Sequence, residues 1–263
     1  MLIDTHAHLW WDIFAGRVEE IISRAQLTGI TKMVVPGTDV KTSMMAVELA
    51  KQYPGVIFAA VGIHPEEVSS SKNSKYQIPI TKQVHILEQI IQEDKKYIVA
   101  VGETGMDKYG EAAATIEKQK EWFAAQIKLA NEYKLPLIIH TRESLVETLQ
   151  VWDEQKSKWG GVFHCFSYGT EELEMILTRG ADVGIGGNVT WNKRIQKVVK
   201  LIPSERLLIE TDSPFMTPLE KKPETNEPAN VKIIALMIAS IRGVTLEELA
   251  EQTTYNARKL FKI

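Results

Sequence analysis

A pair of histidines near the start of the sequence has the spacing of a metal-binding element. His6 and His8 are separated by one small residue in Asp4-Thr5-His6-Ala7-His8. Because successive side chains of a strand point to opposite faces, this spacing puts both imidazoles on one side of a strand. Neutral imidazole suits Zn²⁺, Mn²⁺ or Fe²⁺, and an added carboxylate shifts the preference only partly towards harder ions. The pair alone is a weak signal, so its meaning depends on the rest of the sequence.

Other residues that can bind metal follow apolar runs elsewhere in the chain, where strands would end. They are His64, Glu103, His140, His164 and Asp212. A carboxylate buried in such a position is costly unless a cation pairs with it, and that cation would be a metal ion or, alternatively, a nearby Lys or Arg in a structural salt bridge. A lone histidine there would more often be a core residue, but several histidines beside carboxylates favour a ligand role. We therefore interpret His140 and His164 as metal ligands.

The carboxylates and one arginine have more than one possible role. Glu103 lies in a glycine-flanked stretch, and its two oxygens could serve one ion each. Asp212 could bind metal or take a proton from water. Arg142 could grip a phosphate with its planar guanidinium or pair with a structural carboxylate. Asp107 could orient a water or Arg142, or cap the following helix.

The elements that would position these residues alternate along the whole chain. Short apolar, β-branched runs alternate with longer amphipathic segments, which is typical of repeated βα units around a parallel sheet. The runs predict eight strands: Met1 to Asp4, Lys32 to Pro36, Val56 to Gly62, Tyr97 to Gly102, Leu135 to Ile139, Gly161 to Phe163, Ala181 to Ile185 and Leu207 to Glu210. The predicted helices are Arg17 to Thr28, Thr42 to Tyr53, Val84 to Gln92, Thr115 to Tyr133, Glu143 to Lys156, Glu171 to Arg179, Asn192 to Leu201, Asn230 to Ile241 and Leu246 to Phe261.

Eight βα units predict an α/β protein with a single (β/α)8 barrel of the TIM type. In such a barrel the carboxyl ends of all strands meet at one face, where side chains from different strands converge. We therefore expect a metal site at that face. The residues expected to line it are His6, His8, His64, Glu103, His140, His164 and Asp212.

Length and composition favour one folded domain. Barrels of about 250 residues routinely fold as a single domain, so we predict one domain over residues 1–263. Ser69 to Pro79 and Pro214 to Pro228 are interpreted as excursions, because βα alternation resumes after the first and only closing helices follow the second. Hydrophobic residues make up 44% and charged residues 25% of the chain, so composition gives no reason to expect disorder.

Charge and cysteine content exclude several classes of protein. The formal net charge of −3 lacks the basic excess of proteins that wrap duplex nucleic acid, so phosphate recognition must be local. The single cysteine, Cys165, excludes an intramolecular disulfide and multi-cysteine zinc motifs. No stretch approaches about 18 uncharged apolar residues, and the amino terminus lacks the features of a signal peptide. We expect a cytoplasmic enzyme with no membrane partner, and no obligate protein partner is indicated.

The metal-binding residues fall within longer motifs that resemble one known family. Over nearly its whole length, the chain resembles the TatD-type metal-dependent deoxyribonucleases of the amidohydrolase superfamily. The motifs that carry the resemblance are Asp4-Thr5-His6-Ala7-His8, Gly62-Ile63-His64-Pro65, Gly102-Glu103-Thr104-Gly105, Gln119 with Phe123 and Gln126, His140-Thr141-Arg142, His164-Cys165-Phe166-Ser167, Glu210-Thr211-Asp212-Ser213-Pro214, Asn226-Glu227-Pro228 and Asn256-Ala257-Arg258.

The resemblance implies a ligand set for two divalent metal ions. In it, one ion is held by His6, His8, Glu103 and Asp212, and the second by Glu103, His140 and His164. His64 is implied to contact the scissile phosphate. Zn²⁺, Mn²⁺ and Mg²⁺ are the candidate ions.

The leading hypothesis is hydrolysis of DNA phosphodiester bonds by two-metal activation of water, with Asp212, Glu103 and His64 as catalytic residues and Arg142 with His64 binding substrate. The resemblance implies a 3'-5' exonuclease acting on single-stranded ends. Hydrolysis of an ester or amide, including an aminoacyl-tRNA ester, is an alternative, because activated water attacks carbonyl carbon as well as phosphorus. A non-catalytic metal-binding scaffold is a third possibility. Trp10 and Trp11, which follow the histidine pair, could stack on bases or pack at the rim.

Overall fold

The structure, a computed structural model, describes residues 1–69 and 79–263. The excursion predicted at Ser69 to Pro79 lies outside the described residues over 70–78. Eight parallel strands form a sheet whose order follows the chain, from β1 to β8. They are β1 (Leu2–Asp4), β2 (Ile30–Pro36), β3 (Ile57–Val61), β4 (Ile98–Asp107), β5 (Leu137–Arg142), β6 (Gly161–Phe163), β7 (Asp182–Ile185) and β8 (Leu207–Ile209).

Helices lie between the strands, and the last helices follow β8. The helix α2 begins at an N-cap, where the Asp39 carboxylate accepts a hydrogen bond of 2.7 Å from the Thr42 N–H. Gly243 ends α9 in the left-handed conformation, which glycine adopts without strain. The helices are α1 (Val18–Leu27), α2 (Val40–Gln52), α3 (Pro65–Ser69), α4 (Ile80–Asp94), α5 (Ile116–Tyr133), α6 (Leu145–Gln155), α7 (Thr170–Leu177), α8 (Lys193–Val199), α9 (Val231–Arg242) and α10 (Leu246–Phe261).

Two strands are longer at their carboxyl ends than the sequence predicts. The prediction that the fourth strand ends at Gly102 and the fifth at Ile139 is wrong, so Glu103 and His140 lie inside strands. The physical reason is pairing, because the β4–β5 ladder continues through the polar residues, with Gly105 opposite His140. A Cβ on Gly105 would come within 2.0 Å of the His140 carbonyl oxygen, so this approach requires glycine. The short helix α3 was also not predicted.

The chain comprises two compact units, of which the first contains residues 1–35, 55–57 and 162–263. Within it β1 pairs with β2, and β7 pairs with both β6 and β8. The amino-terminal segment joins the end of β8 through a bridge between Ala7 and Ser213. The short strands β1, β6 and β8 are fully buried, as expected for parallel strands covered on both faces.

The second unit contains residues 36–54 and 58–161. Within it β4 pairs with β3 and β5, and every residue of β4 is buried. The amphipathic helix α5 packs against β4, burying Phe123. The side-chain amides of two of its glutamines form hydrogen bonds with the main chain. Gln126 bonds both the N–H and the carbonyl of Ile63, and Gln119 bonds those of Asp107. The prediction of one domain stays a prediction.

Within the described part of the chain, no single helix has the length and apolar character to cross a membrane. Two consecutive helical segments reach that length and apolar character only when taken together, and the chain bends by 111° between them. They are Pro228–Arg242 and Leu246–Phe261.

Candidate metal centre

Four of the predicted site residues lie together in the first unit. This first cluster consists of His6, His8, His164 and Asp212. The Nε2 atoms of His6 and His8 lie 3.1 Å apart, so both rings point to the same place. Asp212 Oδ1 lies 3.4 Å from His8 Nε2 and 3.8 Å from His6 Nε2. The His164 ring stacks on His6 with ring centroids 4.0 Å apart.

A tight turn after β8 presents Asp212 to the histidines. The Asp212 N–H donates to the His6 carbonyl at 2.8 Å, which ties the turn to the histidine segment. The side-chain amide of Asn226 donates to the carbonyls of Thr211 and Phe215, on either side of Asp212. Because Asp212 has a positive φ of 55°, this conformation depends on such supports. The carboxylate is therefore held in place by backbone contacts from two other segments.

The histidines keep Asp212 ionised. Burial alone would raise the pKa of this carboxyl, but a hydrogen bond from His8 and the charges of His6, His164 and His8 outweigh it and hold the pKa below its usual value. Asp212 is thus a carboxylate at neutral pH, as binding of a cation requires.

Two further carboxyl groups, those of Asp4 and Glu210, hydrogen-bond to segments that carry residues of the first cluster. The sequence analysis assigned neither to the site. Asp4 accepts hydrogen bonds from the Thr211 hydroxyl at 2.6 Å and the Thr211 N–H at 2.9 Å. Burial raises the pKa of Asp4 to about 8, against the opposing effect of these hydrogen bonds. Asp4 therefore ties β1 to the segment after β8.

Glu210, just beyond β8, holds the segment that carries His164. Its Oε1 accepts a 2.5 Å hydrogen bond from the Cys165 N–H and lies 3.6 Å from His164 Nδ1. Thr5 donates to Oε2 at 3.4 Å. A Cβ on Gly184 would come within 2.4 Å of Oε2, so glycine makes room for this carboxylate. Its place two residues before Asp212 was the signal that could have identified it.

The other predicted residues lie together in the second unit. This second cluster consists of the predicted residues His64, Glu103 and His140, together with Asp107, whose role the sequence left open. Glu103 Oε1 lies 3.2 Å from His64 Nε2 and 3.2 Å from His140 Nδ1. His140 Nε2 lies 2.9 Å from Asp107 Oδ2, so this ring sits between two carboxylates. The prediction that all seven site residues line one pocket stays a prediction.

The local backbone sets the tautomer of His64. The Glu66 N–H donates to His64 Nδ1 at 3.2 Å, so Nδ1 carries the lone pair of the neutral ring. The proton is then on Nε2, which donates to Glu103. His64 thus presents a hydrogen-bond donor within the second cluster.

Asp107 holds His140, a role that the sequence left open. Burial would raise the pKa of Asp107, but hydrogen bonds from His140 and the Tyr109 N–H, with the charges of His140 and Arg142, hold it below its usual value. The Arg142 guanidinium lies over the Tyr109 ring, 3.5 Å from its centroid. Arg142 is exposed and forms no salt bridge within residues 1–69 and 79–263, and its role as a phosphate ligand stays a prediction.

Both clusters fit a divalent metal in chemistry and spacing. Imidazole nitrogens and carboxylate oxygens are the ligands that Zn²⁺ and Mn²⁺ accept in proteins. Ligands bound tetrahedrally to zinc at about 2.0–2.2 Å lie about 3.3–3.6 Å from one another. The separations of 3.1, 3.4 and 3.8 Å in the first cluster span that range. The ligand atoms of His6, His164 and Asp212 lie within 4.8 Å of one another. The same holds for the separate group of His64, Glu103 and His140.

Known proteins are similar to this chain over its whole length. The family model described as TatD related DNase matches residues 3–262. A Bacillus subtilis (strain 168) protein described as the uncharacterized metal-dependent hydrolase YabD is 37% identical over 266 residues, covering 100% of both chains. The 3'-5' ssDNA/RNA exonuclease TatD of Pantoea vagans (strain C9-1) is 33% identical over 270 residues, also covering 100% of both.

A solved structure shares the fold as well. The TatD homologue YJJV of Escherichia coli k12 aligns with a TM-score of 0.91 at 28% identity, covering 100% of this chain and 98% of that one. With eight parallel strands in chain order, this similarity confirms the predicted (β/α)8 barrel. The chain therefore belongs to the TatD family of metal-dependent hydrolases.

Proposed function

We propose that this protein is a metal-dependent nuclease that removes nucleotides from the 3' end of single-stranded DNA. The observation that carries the proposal is the pair of clusters, each combining imidazole with a carboxylate whose pKa is held low. The exonuclease name of a relative at 33% identity over the full length supports the choice of substrate.

We further propose that two divalent ions are bound, with His6, His8, Glu103, His140, His164 and Asp212 as their ligands. When bound, such ions lower the pKa of a water and neutralise charge on the phosphoryl oxygens. This explains how a chain of net charge −3 can act on a polyanion, since the positive charge that meets the phosphate comes with the metal.

Asp212 would orient the attacking water and take up its proton. The low pKa keeps the carboxylate ionised at neutral pH, so it could accept a hydrogen bond from a water. The turn after β8 fixes its direction, and general-base assistance requires such positioning.

His64 and Arg142 would bind the phosphate. The Nε2–H of His64, which donates to Glu103 in this structure, would turn to a phosphate oxygen when substrate binds. The planar guanidinium of Arg142 can donate two parallel hydrogen bonds to a phosphate. Stacking on the Tyr109 ring already restricts the orientations of the guanidinium, so less conformational entropy is lost when it binds phosphate.

The test is a substrate and metal panel. Metal-stripped protein is incubated with Mg²⁺, Mn²⁺ or Zn²⁺ and with end-labelled single-stranded DNA, duplex DNA, RNA, carboxylic esters and an aminoacyl-tRNA. We expect shortening from the 3' end of single-stranded DNA, restored by metal and lost again with a chelator. Phosphate should inhibit the reaction, and a phosphorothioate strand should resist it.

Two outcomes would contradict the proposal. Turnover of esters or aminoacyl-tRNA without any cleavage of nucleic acid would assign the site to carbonyl chemistry. Tight metal binding with no turnover of any of these substrates would make the protein a metal-binding scaffold.

A further inference from the structure

Three aromatic side chains form a surface cluster beside the first metal cluster. This aromatic cluster consists of Trp10, Trp11 and Phe215. Trp11 and Phe215 meet at right angles, with ring centroids 5.0 Å apart, and Trp10 lies 5.1 Å from Trp11. The His8 ring is 6.4 Å from Trp11 and 6.2 Å from Phe215. The aromatic cluster is thus in direct contact with a candidate metal ligand.

Two of these rings remain exposed in spite of their size. Trp11 is 38% and Phe215 44% exposed, so much of their apolar area faces solvent next to a polar cluster. A single exposed ring is ordinary, as at Trp159, but here two exposed rings contact each other at the edge of a polar cluster. Exposed apolar surface at the edge of a polar site is typical of a surface that binds a ligand.

The backbone fixes both rings relative to the metal ligands. The Trp11 N–H donates to the His8 carbonyl at 3.1 Å, and the Phe215 N–H donates to the Asp212 carbonyl at 2.8 Å. Each ring therefore ends a turn that begins at a candidate ligand. Asn226 also binds the Phe215 carbonyl. Because these bonds fix the main chain and the two rings pack on each other, the rings lose little conformational freedom when a ligand binds.

We infer that Trp11 and Phe215 form a stacking site for an unpaired nucleobase of the strand whose phosphate occupies the metal centre. The inference rests on the proposed function and goes beyond it by assigning residues that bind the base. An aromatic ring stacks on any base, since every base has a π face, so the site accepts all four bases. It discriminates against a base that is still paired and stacked in a duplex. The aromatic cluster therefore provides a physical cause for preference for single-stranded ends.

The experiment crosses an enzyme substitution with a substrate change. Trp11→Ala and Trp11→Phe are compared with the wild type on an oligothymidylate and on the same strand with abasic residues at its 3' end. Trp159→Ala is the matched control, because Trp159 is 39% exposed but precedes β6 rather than following a strand that carries ligands. Metal content is measured for every variant.

We expect Trp11→Ala to lower kcat/KM on oligothymidylate about tenfold, mainly through KM, as loss of one base–aromatic stack predicts. On the abasic strand the same substitution should change kcat/KM less than about twofold, because no base is there to stack. Trp11→Phe should retain most of the activity, and Trp159→Ala all of it. Equal losses on both strands would overturn the inference and make Trp11 a structural residue.

Binding of a phosphorothioate oligothymidylate, measured by fluorescence anisotropy at saturating metal, separates this inference from the proposed function. If the wild type cleaves no nucleic acid, the proposed function fails. A stacking site would still be supported if Trp11→Ala bound the oligothymidylate more weakly than the wild type did. Unchanged binding, or no binding by the wild type, would overturn the inference. So would a change of oligomeric state in Trp11→Ala, because the aromatic cluster would then belong to an interface with a second copy.

Discussion

The two clusters differ in how they combine nitrogen with oxygen. The first cluster brings three imidazoles to a single carboxylate, and its histidine rings contact one another, with His6 between His8 and His164. In the second cluster two imidazoles meet two carboxylates, and His140 lies between Glu103 and Asp107. The first set is rich in nitrogen and the second is balanced with oxygen.

This difference predicts different metal preferences. Imidazole favours Zn²⁺, whereas carboxylate oxygen favours harder ions such as Mn²⁺ and Mg²⁺. We expect the first cluster to bind zinc more tightly and the second to exchange its ion more readily for manganese. In both clusters, histidine neighbours lower the pKa of a buried aspartate whose burial alone would raise it. Direct metal titration with Zn²⁺ and Mn²⁺ measures the contrast.

Asp212→Asn should have the largest effect on activity. The amide nearly matches the shape of the carboxylate but cannot take up a proton, so hydrolysis should fall by about 10²–10⁴-fold at full metal occupancy. Cleavage of end-labelled single-stranded DNA is measured at saturating metal, with bound metal quantified in the same samples. Asp94→Asn, at a partly exposed carboxylate paired with Lys51, is the matched control.

The outcome separates two roles of the first cluster. A fully metallated Asp212→Asn protein that cleaves DNA at the wild-type rate would exclude proton uptake by Asp212 and leave it at most a replaceable ligand. Loss of activity that parallels loss of metal would assign it a ligand role.

His140→Ala and His164→Ala should each weaken one metal site and spare the other. Removing a direct ligand lowers affinity at its own site, while His6 and His8 still hold an ion. The resemblance assigns both residues to the second ion, but His164 stacks on His6 in the first cluster. Calorimetric titration with Zn²⁺ and Mn²⁺ shows which site each variant loses. His85→Ala is the control, since that ring is 63% exposed.

Two results would break the comparison. Wild-type stoichiometry and affinities in both variants would contradict the ligand assignment. If both variants lost the same site, His164 would belong with His140, and the contact with His6 would not define the ligand groups.

The sequence predicted the eight strands and every residue of the two clusters except Asp107, because each of those residues follows an apolar run. What it could not predict depends on contacts between distant segments. The extension of β4 through Glu103 to Asp107 arises from pairing with β5, and the contact of Asp107 with His140 depends on the register of that pairing. Glu210 was overlooked as a site residue because its partner, the Cys165 N–H, lies 45 positions away.

Asp107→Asn should weaken metal binding at the second cluster by a smaller factor. Asp107 touches the ring of His140 rather than an ion in the proposed ligand set, and groups that orient a ligand contribute about 10–100-fold to metal affinity. The amide can still accept the hydrogen bond from the Tyr109 N–H, so the turn should survive. Affinity at the first cluster should not change. An equal loss of affinity at both clusters would show that Asp107 stabilises the fold instead of positioning His140.

Asp182→Asn should have the smallest effect, on stability alone, and it tests whether histidines cause the low pKa values in the clusters. Asp182 begins β7, and its neighbours are the cations Arg206 and Lys259 rather than a histidine cluster. Burial raises the pKa of Asp182 to about 6, and the attraction of Arg206 only partly opposes this. Because the folded state then binds the proton more tightly than the unfolded state, stability falls as pH rises from about 4 to about 6.

The shift from 3.8 to about 6 corresponds to a loss on the order of 3 kcal/mol across that window. Asparagine stays neutral, so Asp182→Asn should lack this decline, and its stability relative to the wild type should improve steadily with pH. The pKa of about 6 already includes the attraction of Arg206, whose Nη1 lies 3.4 Å from the carboxylate, so loss of this contact adds no separate change above pH 6. Urea denaturation of both proteins at intervals from pH 4 to pH 7.5 gives the difference, and DNA cleavage should be unchanged. A difference in stability that does not vary with pH would mean that burial does not raise the pKa of Asp182. Asp182 could then no longer serve as the buried aspartate without histidine neighbours to which Asp212 and Asp107 are compared.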